Sequence, residues 1–413
     1  MSTGNLRLVN VVRTGDANDP ITAEFDRLSL ADLRTRPGAK WQVPGAQLLP
    51  AWVADMDFPV AEPVRDALRG VVAGGDYGYP DWPGGASPLR QAFVDRMSER
   101  FDWRPDVAHV REFTDVTQAV QAVLHLATEQ GDGVALHTPA FGPFVRSIEN
   151  MGRRLMPIPM VDTPSGWTFD LDRFAADLVG SSCRVLLLVN PQNPTGRVFS
   201  HAELRGLADL AERHGLLVIS DEIHSDLTYR PHRHIPFASL DPATAERTVT
   251  LTSASKAFNL AGLRCAVGHI GPAWLRREFA ALPPNLLGSV GLLAAQATLA
   301  AWTAGDGWLD SVGSYLDRNR AMVADTLARR APEIRHHLPE ATYLAWLDCR
   351  ALGWGDDPAA AFRDLAGVEL SPGPSFNPGG DGFVRLNFAT STPMLRRILD
   401  RLTDAASLLP SAA

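Results

Sequence analysis

Residues 184–224 read RVLLLVNPQNPTGRVFSHAELRGLADLAERHGLLVISDEIH, and the order of patterns in this stretch decides the fold. Between Arg184 and Asn190 runs an unbroken apolar stretch, the pattern of a strand covered on both faces. It ends in turn chemistry, Pro191-Gln192-Asn193-Pro194-Thr195-Gly196. Ser200 followed by Glu203 predicts a capping box, opening a helix that stops near Gly215. Leu216–Ser220 is the next apolar strand and runs straight into the polar cluster Asp221-Glu222-Ile223-His224. Fully apolar strands separated by a helix predict a mainly parallel sheet with helices on both faces, an α/β fold.

Downstream, Thr248–Thr252 (TVTLT) predicts another strand, followed by Ser253-Ala254-Ser255-Lys256. Ligands of open α/β sheets bind beyond the carboxyl ends of the strands. Three polar clusters fall at such ends: Asn190–Gly196, Asp221–His224 and Ser253–Lys256. Their convergence on one crevice marks the candidate site.

The bulk properties narrow the function classes. A chain of 413 residues buries ample core and is expected to form one large domain plus a smaller one. A net charge of -8 argues against nucleic acid and anionic membranes as partners. No apolar stretch reaches the ~18–20 residues needed to span a bilayer. The start, Met1-Ser2-Thr3-Gly4-Asn5-Leu6-Arg7, lacks a signal-peptide core. Cys183, Cys265 and Cys349 are too far apart for a disulfide framework or close-spaced zinc ligands, so each is expected to be a small buried residue. The expectation is a cytoplasmic enzyme with loosely ordered ends, roughly 1–20 and 406–413.

Lysine usage is the sharpest single clue. Lysine and arginine together number 39, yet only Lys40 and Lys256 are lysines. Guanidinium serves for surface charge but cannot act as a free amine. A lysine kept in so arginine-rich a chain points to a task needing a deprotonatable amine, and Lys256 sits among small hydroxyl residues after a strand. That setting suits the Schiff-base lysine of a pyridoxal phosphate (PLP) enzyme.

Such a site needs further groups, and each has a candidate. Asp221, directly after a strand, fits the carboxylate that keeps the pyridine nitrogen protonated. Asn193 and His224 are placed to reach the ring's 3′ oxygen. Ser253, Ser255 and Arg264 offer hydroxyls and a guanidinium for phosphate, and a helix beginning near Val116-Thr117-Gln118 offers amides. Phe141 is the candidate to cover a ring face. Taken singly, Asp221 reads first as a helix cap or solvated turn residue and His224 as a structural histidine, and Phe141 reads at least as well as core. His232 and His234 lack a third metal ligand, so no metal site is expected. Tyr77, Tyr79 and Trp82 do not form a nucleic-acid platform in so acidic a chain.

On these residues the chain resembles the fold-type I PLP enzymes of aminotransferase class I/II. Within them it is most similar to the MalY/PatB-like branch of cystathionine β-lyases and cysteine-conjugate C–S lyases. The similarity runs from about residue 24 to 405. It rests on Lys40-Trp41, on Trp52-Val53-Ala54-Asp55-Met56-Asp57-Phe58, on Tyr77-Gly78-Tyr79-Pro80 and on Asn190–Gly196. Asp221–His224, Ser253–Lys256 with Ala261-Gly262-Leu263, and Arg385-Leu386-Asn387-Phe388 complete it.

The resemblance implies an aspartate-aminotransferase-like fold: a large domain built on a mainly parallel seven-stranded sheet, plus a smaller α+β domain. The implied boundaries are an amino-terminal arm and part of the small domain over 1–55, the PLP-binding domain over 56–295 and the small domain over 296–413. Implied roles are cofactor attachment at Lys256, the ring-nitrogen partner at Asp221, 3′-oxygen contacts from Asn193 and His224, and stacking by Phe141. Phosphate falls to Ser253, Ser255, Arg264, Val116 and Thr117. Arg385 takes the substrate carboxylate, with the Ala54 backbone and Asn193 beside it. Tyr79 reaches the site of the other protomer, which implies a homodimer with shared active sites.

The implied activity is cleavage of cystathionine or another S-substituted L-cysteine to a thiol, pyruvate and ammonia. Aminotransfer is the alternative. So is a biosynthetic variant that processes a cysteine conjugate by elimination or decarboxylative oxidation in specialised metabolism; the drift toward Arg, Ala and Gly suits a GC-rich actinobacterial genome. A regulatory binding protein keeping the fold is a further class. Three positions depart from the family pattern: Asp115 in the phosphate loop where many members have glycine, Phe141 for a frequent tyrosine, and Asn377 for glycine. All three are expected to touch the pocket.

Overall fold

The computed structural model describes residues 20–80, 82, 87–283 and 285–408. The Met1–Arg7 segment, and most of the two ends read above as loosely ordered, lie outside the described residues.

The strands in chain order are β1 Leu49–Pro50, β2 Val110–Phe113, β3 Gly133–Thr138, β4 Arg154–Thr163, β5 Gly166–Phe169 and β6 Cys183–Val189. They continue as β7 Leu217–Asp221, β8 Thr248–Thr252, β9 Ala266–Ile270, β10 Leu344–Asp348, β11 Val368–Glu369, β12 Ser371–Pro372 and β13 Phe383–Asn387. The main sheet has the order β2-β9-β8-β7-β6-β3-β4-β5. Strands β8, β7, β6, β3 and β4 run parallel, while β9 lies antiparallel to both β8 and β2. The seven-stranded expectation covers β2 to β4. The eighth strand, β5, is the return arm of a hairpin with β4 through Pro164-Ser165-Gly166, where Gly166 adopts φ 123.

The apolar run in β6 behaves as its pattern predicts. Val185, Leu187 and Val189 join a core with Ala119, Val120 and Val123 of the helix Val116–Ala127. Leu186 and Leu188 face the other way, into a core with Leu204, Leu207 and Ala208 of the helix His201–Arg213. Two covered faces explain why the strand alternates nothing. Each such Leu contributes roughly 1.5–3 kcal/mol by burial. The helix on the second face opens with the predicted capping box: Ser200 Oγ accepts from the Glu203 amide at 3.3 Å, and Glu203 accepts from the Ser200 amide at 2.7 Å. It ends at Arg213, two residues before Gly215 turns the chain at φ 63.

A second, three-stranded antiparallel sheet has the order β10-β13-β12, and β1 pairs parallel with β11. Its strand β13 carries Arg385 opposite Ser371 of β12. Among the described residues, no helix is long and apolar enough to cross a membrane.

Candidate active site

The carboxyl ends of β2, β3, β6, β7 and β8 share one edge of the main sheet. The segments leaving it are Thr114–Val116, Pro139–Phe141, Asn190–Asn193, Asp221–His224 and Ser253–Lys256. They surround a cavity of about 600 Å³, within the range of a cofactor site. Of the sequence-predicted residues, Lys256, Asp221, Asn193, His224, Ser253, Ser255, Arg264, Phe141, Val116, Thr117 and Ala54 all line it.

Lys256 belongs to a short helix, Ala254–Ala257, capped by Ser253. Its Nζ donates to the Ala54 carbonyl at 2.8 Å, and burial lowers its pKa. The same carbonyl accepts from the Tyr343 hydroxyl at 2.8 Å. The segment bearing Ala54 is pinned from several sides. Asn387 Nδ2 donates to the carbonyls of Val53 at 2.6 Å and Asp55 at 2.7 Å. Asn259, two positions past Ala257 and at φ 58, accepts from the Met56 amide and donates to the Met56 and Phe58 carbonyls.

Asp221 ends β7 fully inside the protein. Its Oδ1 accepts from the Ile223 amide at 3.1 Å, and no cation pairs with it among the described residues. Burial therefore pushes its pKa up to about 7. His224 is buried too, which drives its pKa down to about 3, and its Nδ1 has no partner among the described residues. Phe141 lines the cavity and packs edge-on against Phe144 at 5.3 Å between centroids.

Arg385, on β13 of the second sheet, does not line this cavity itself but joins it through Asn193. It donates to Asn193 Oδ1 at 2.9 Å, and to the Trp52 carbonyl and Ser371 Oγ at 3.2 Å each. Its guanidinium lies over Phe376 at 4.7 Å, and Nε has no partner among the described residues. No carboxylate faces it there, so burial lowers even its pKa to about 10. A buried guanidinium without a counter-ion is built for an incoming anion.

The phosphate candidates cluster at the start of the helix Val116–Ala127. The amides of Val116 and Thr117 lie in its first turn and have no acceptor among the described residues. Ser255 Oγ makes no hydrogen bond among the described residues. Ser253 differs from expectation: its hydroxyl donates to the Cys265 carbonyl at 2.5 Å while accepting from the Ser255 amide at 3.0 Å. Its proton is already committed. Asp115 caps the helix and pairs with Arg264.

One expectation needs correction. Asn377 does not touch the cavity: it binds Asp381 at 2.8 Å and accepts from the Gly380 amide at 2.8 Å, closing a surface turn. Tyr79 stands outside the cavity of its own chain, wholly exposed at 103%. His234 is a buried partner of Glu222 at 2.9 Å. Tyr343 and Ser371 were missed because no local pattern marks them. Asn387 lies inside the Arg385–Phe388 motif, and Asn259 between Ser253–Lys256 and Ala261–Leu263, both without a role assigned from sequence.

This donor set fits pyridoxal phosphate. It presents an amine with lowered basicity, a buried carboxylate in want of a cation, an unpartnered imidazole nitrogen and free helix amides around one cavity. Sheet and site together define the fold-type I class of PLP enzymes.

The chain belongs to the aminotransferase class I and II family, which matches residues 56–402. It is 34% identical to the cystathionine beta-lyase PatB of Bacillus subtilis, over 89% of this chain and 96% of that protein. It is 36% identical to protein MalY of Escherichia coli, over 87% and 92%. The PLP-bound C–S lyase from Staphylococcus hominis superimposes with a TM-score of 0.87 at 28% identity, covering 93% of this chain and 99% of that one.

Proposed function

We propose that the protein is a PLP-dependent carbon–sulfur β-lyase that cleaves cystathionine or another S-substituted L-cysteine. The observation that carries the reading is that two buried groups without an ion-pair partner among the described residues both act on the Lys256 amine: the Asp221 carboxyl at the end of β7 and the Arg385 guanidinium on the Trp52 carbonyl. Relatives named as cystathionine β-lyases and C–S lyases support the choice of reaction.

Pyridoxal phosphate, when bound, supplies a protonated pyridine that accepts the electron pair released at the substrate Cα. Asp221 holds the proton on that nitrogen, and the positive charge gives the carboxylate the partner it lacks. Arg385 forks onto the substrate carboxylate, with Asn193 and Ser371 fixing the plane of the guanidinium. Lys256 would take the Cα proton at Nζ; burial lowers its pKa, which favours the free amine that a base requires. The same ammonium then protonates the departing β-thiolate. The net reaction consumes one water and yields a thiol, pyruvate and ammonia.

Tyr79 is exposed in the single chain, and in this reading it completes the partner protomer's site in a homodimer. Three buried free cysteines suit a reducing compartment, so we place the enzyme in the cytoplasm. Incubation with L-cystathionine and S-alkyl-L-cysteines, assaying thiol and pyruvate together, tests the reading. Stoichiometric thiol and pyruvate is the expected result. Amino transfer to an added 2-oxo acid without thiol release overturns it.

A further inference from the structure

The start of the helix Val116–Ala127 holds a carboxylate where the cofactor reading calls for a phosphate. Asp115 Oδ1 accepts from the Gln118 amide at 2.8 Å, and Oδ2 pairs with Arg264 Nη2. Asp115, Val116, Thr117, Ser255 and Arg264 all line the cavity. Arg264 is held there with some strain. It has φ 60 and ψ 73, a region non-glycine residues occupy at a cost, and its side chain is 64% exposed. The guanidinium is the only full positive charge among those five residues, and Asp115 neutralises it. The same carboxylate sets a negative charge against the positive end of the helix dipole, the place an incoming dianion would use.

We infer that Asp115 is an internal competitor for the cofactor's phosphate, occupying Arg264 and the helix cap and thereby making pyridoxal phosphate exchangeable rather than permanently held. A phosphate settling against Val116, Thr117 and Ser255 meets a like charge and must draw Arg264 away from Asp115. The penalty falls on the phosphate and spares the pyridine ring, whose contacts lie toward Asp221 and His224.

This inference rests on the PLP reading, and the ring–phosphate contrast keeps the two apart experimentally. Full-length protein freed of cofactor is titrated with pyridoxal phosphate and with pyridoxal, following the visible absorbance of the bound cofactor. The readout is the ratio of the two dissociation constants. D115N keeps a side chain able to cap the helix but removes the charge. It should favour pyridoxal phosphate over pyridoxal at least about ten-fold more than the wild type does. Pyridoxal phosphate should also leave the D115N holoenzyme correspondingly more slowly. If D115N loosens the helix and weakens both ligands, D115S, a neutral hydroxyl cap, decides by the same ratio. An unchanged or lower ratio in both variants overturns the inference and leaves Asp115 a helix cap. Failure of wild-type protein to bind pyridoxal phosphate at all overturns the cofactor reading instead.

Discussion

Lys40 and Lys256, the two lysines of the chain, hold adjacent carbonyls of one short segment: Lys256 Nζ donates to Ala54 at 2.8 Å and Lys40 Nζ to Asp55 at 3.1 Å. Lys40 also pairs with Asp57 at 3.0 Å, with the two side chains 4% and 1% exposed. Trp41 Nε1 donates to the other oxygen of Asp57 at 2.7 Å, and Trp52 Nε1 to the Lys40 carbonyl at 3.2 Å. One lysine braces from the structural side the segment that the other meets in the cavity.

K40M should therefore cost about 3–5 kcal/mol of stability, because it strands the buried Asp57 charge. Urea unfolding of the two proteins side by side measures the loss. A difference below about 1 kcal/mol would mean that Asp57 finds other partners and the brace is dispensable.

Asp221→Ala should reduce kcat far more than it reduces bound cofactor. Burial pushes the carboxyl's pKa up to about 7, and a protonated ring nitrogen would favour its charged form. Its effect grows as electrons move into the ring, so the loss is a transition-state term of several kcal/mol, roughly 10²-fold or more in kcat. Near-normal turnover with a full complement of cofactor would remove Asp221 from the ring.

How far the sequence discloses this site depends on distance along the chain. Asp221, Asn193 and Lys256 sit just past apolar strands, so strand pattern and polar cluster appear together in one short window, and the sheet edge follows from them. Tyr343 and Ser371 reach the same Ala54 and Arg385 neighbourhood from more than 280 and 310 positions beyond Ala54 and Trp52 respectively. Nothing local marks them, because their role exists only once the second sheet has packed. The β5 return strand was hidden for a related reason: its pairing is set by Gly166 at the turn and by burial of Trp167 and Phe169, not by a long apolar run. Residue type points the Ser253 hydroxyl to phosphate, whereas in the fold it donates to a backbone carbonyl twelve residues ahead.

Arg385→Lys should raise KM for amino-acid substrates about ten-fold or more, with a smaller effect on kcat. The guanidinium spans Asn193, Trp52 and Ser371 at once and still has Nε unused. A point ammonium reproduces neither that frame nor a bidentate fork. Steady-state kinetics on an S-alkyl-L-cysteine give the answer, and an unchanged KM moves carboxylate recognition elsewhere.

His137 makes stability pH-dependent. It lies fully buried in β3 between Phe169 and Phe199, at 4.5 and 4.9 Å between centroids, and neither ring nitrogen has a partner among the described residues. Burial drives its pKa from 6.5 to about 3. The folded state thus binds fewer protons than the unfolded one between those values. The contribution is intact above pH 6.5 and is lost as pH falls toward 3. H137F should flatten this dependence: between pH 7.5 and 4.5, wild type should lose about 2–3 kcal/mol more than the variant. Parallel losses in chemical denaturation at the two pH values would show that the ring finds a partner when protonated.

The remaining prediction concerns Tyr79, whose ring is exposed at 103% while the chain's own cavity is built without it. A large aromatic so exposed, in the segment Tyr77-Gly78-Tyr79-Pro80, is available to pack on a partner chain. In a two-fold dimer each such loop meets the partner symmetrically, so both sites are completed or neither is. Lys256→Ala and Tyr79→Phe homodimers should each be impaired, one in its own site and one in its partner's. A heterodimer of the two then contains one site with both lesions and one site with neither. Mixing the variants under conditions of subunit exchange should restore activity, approaching one quarter of wild type at random equal mixing (half the dimers are mixed, each with one working site). Native mass spectrometry confirms the exchange independently of turnover. If mixed dimers form and activity stays at the homodimer level, Tyr79 acts within its own chain and the composite site is wrong.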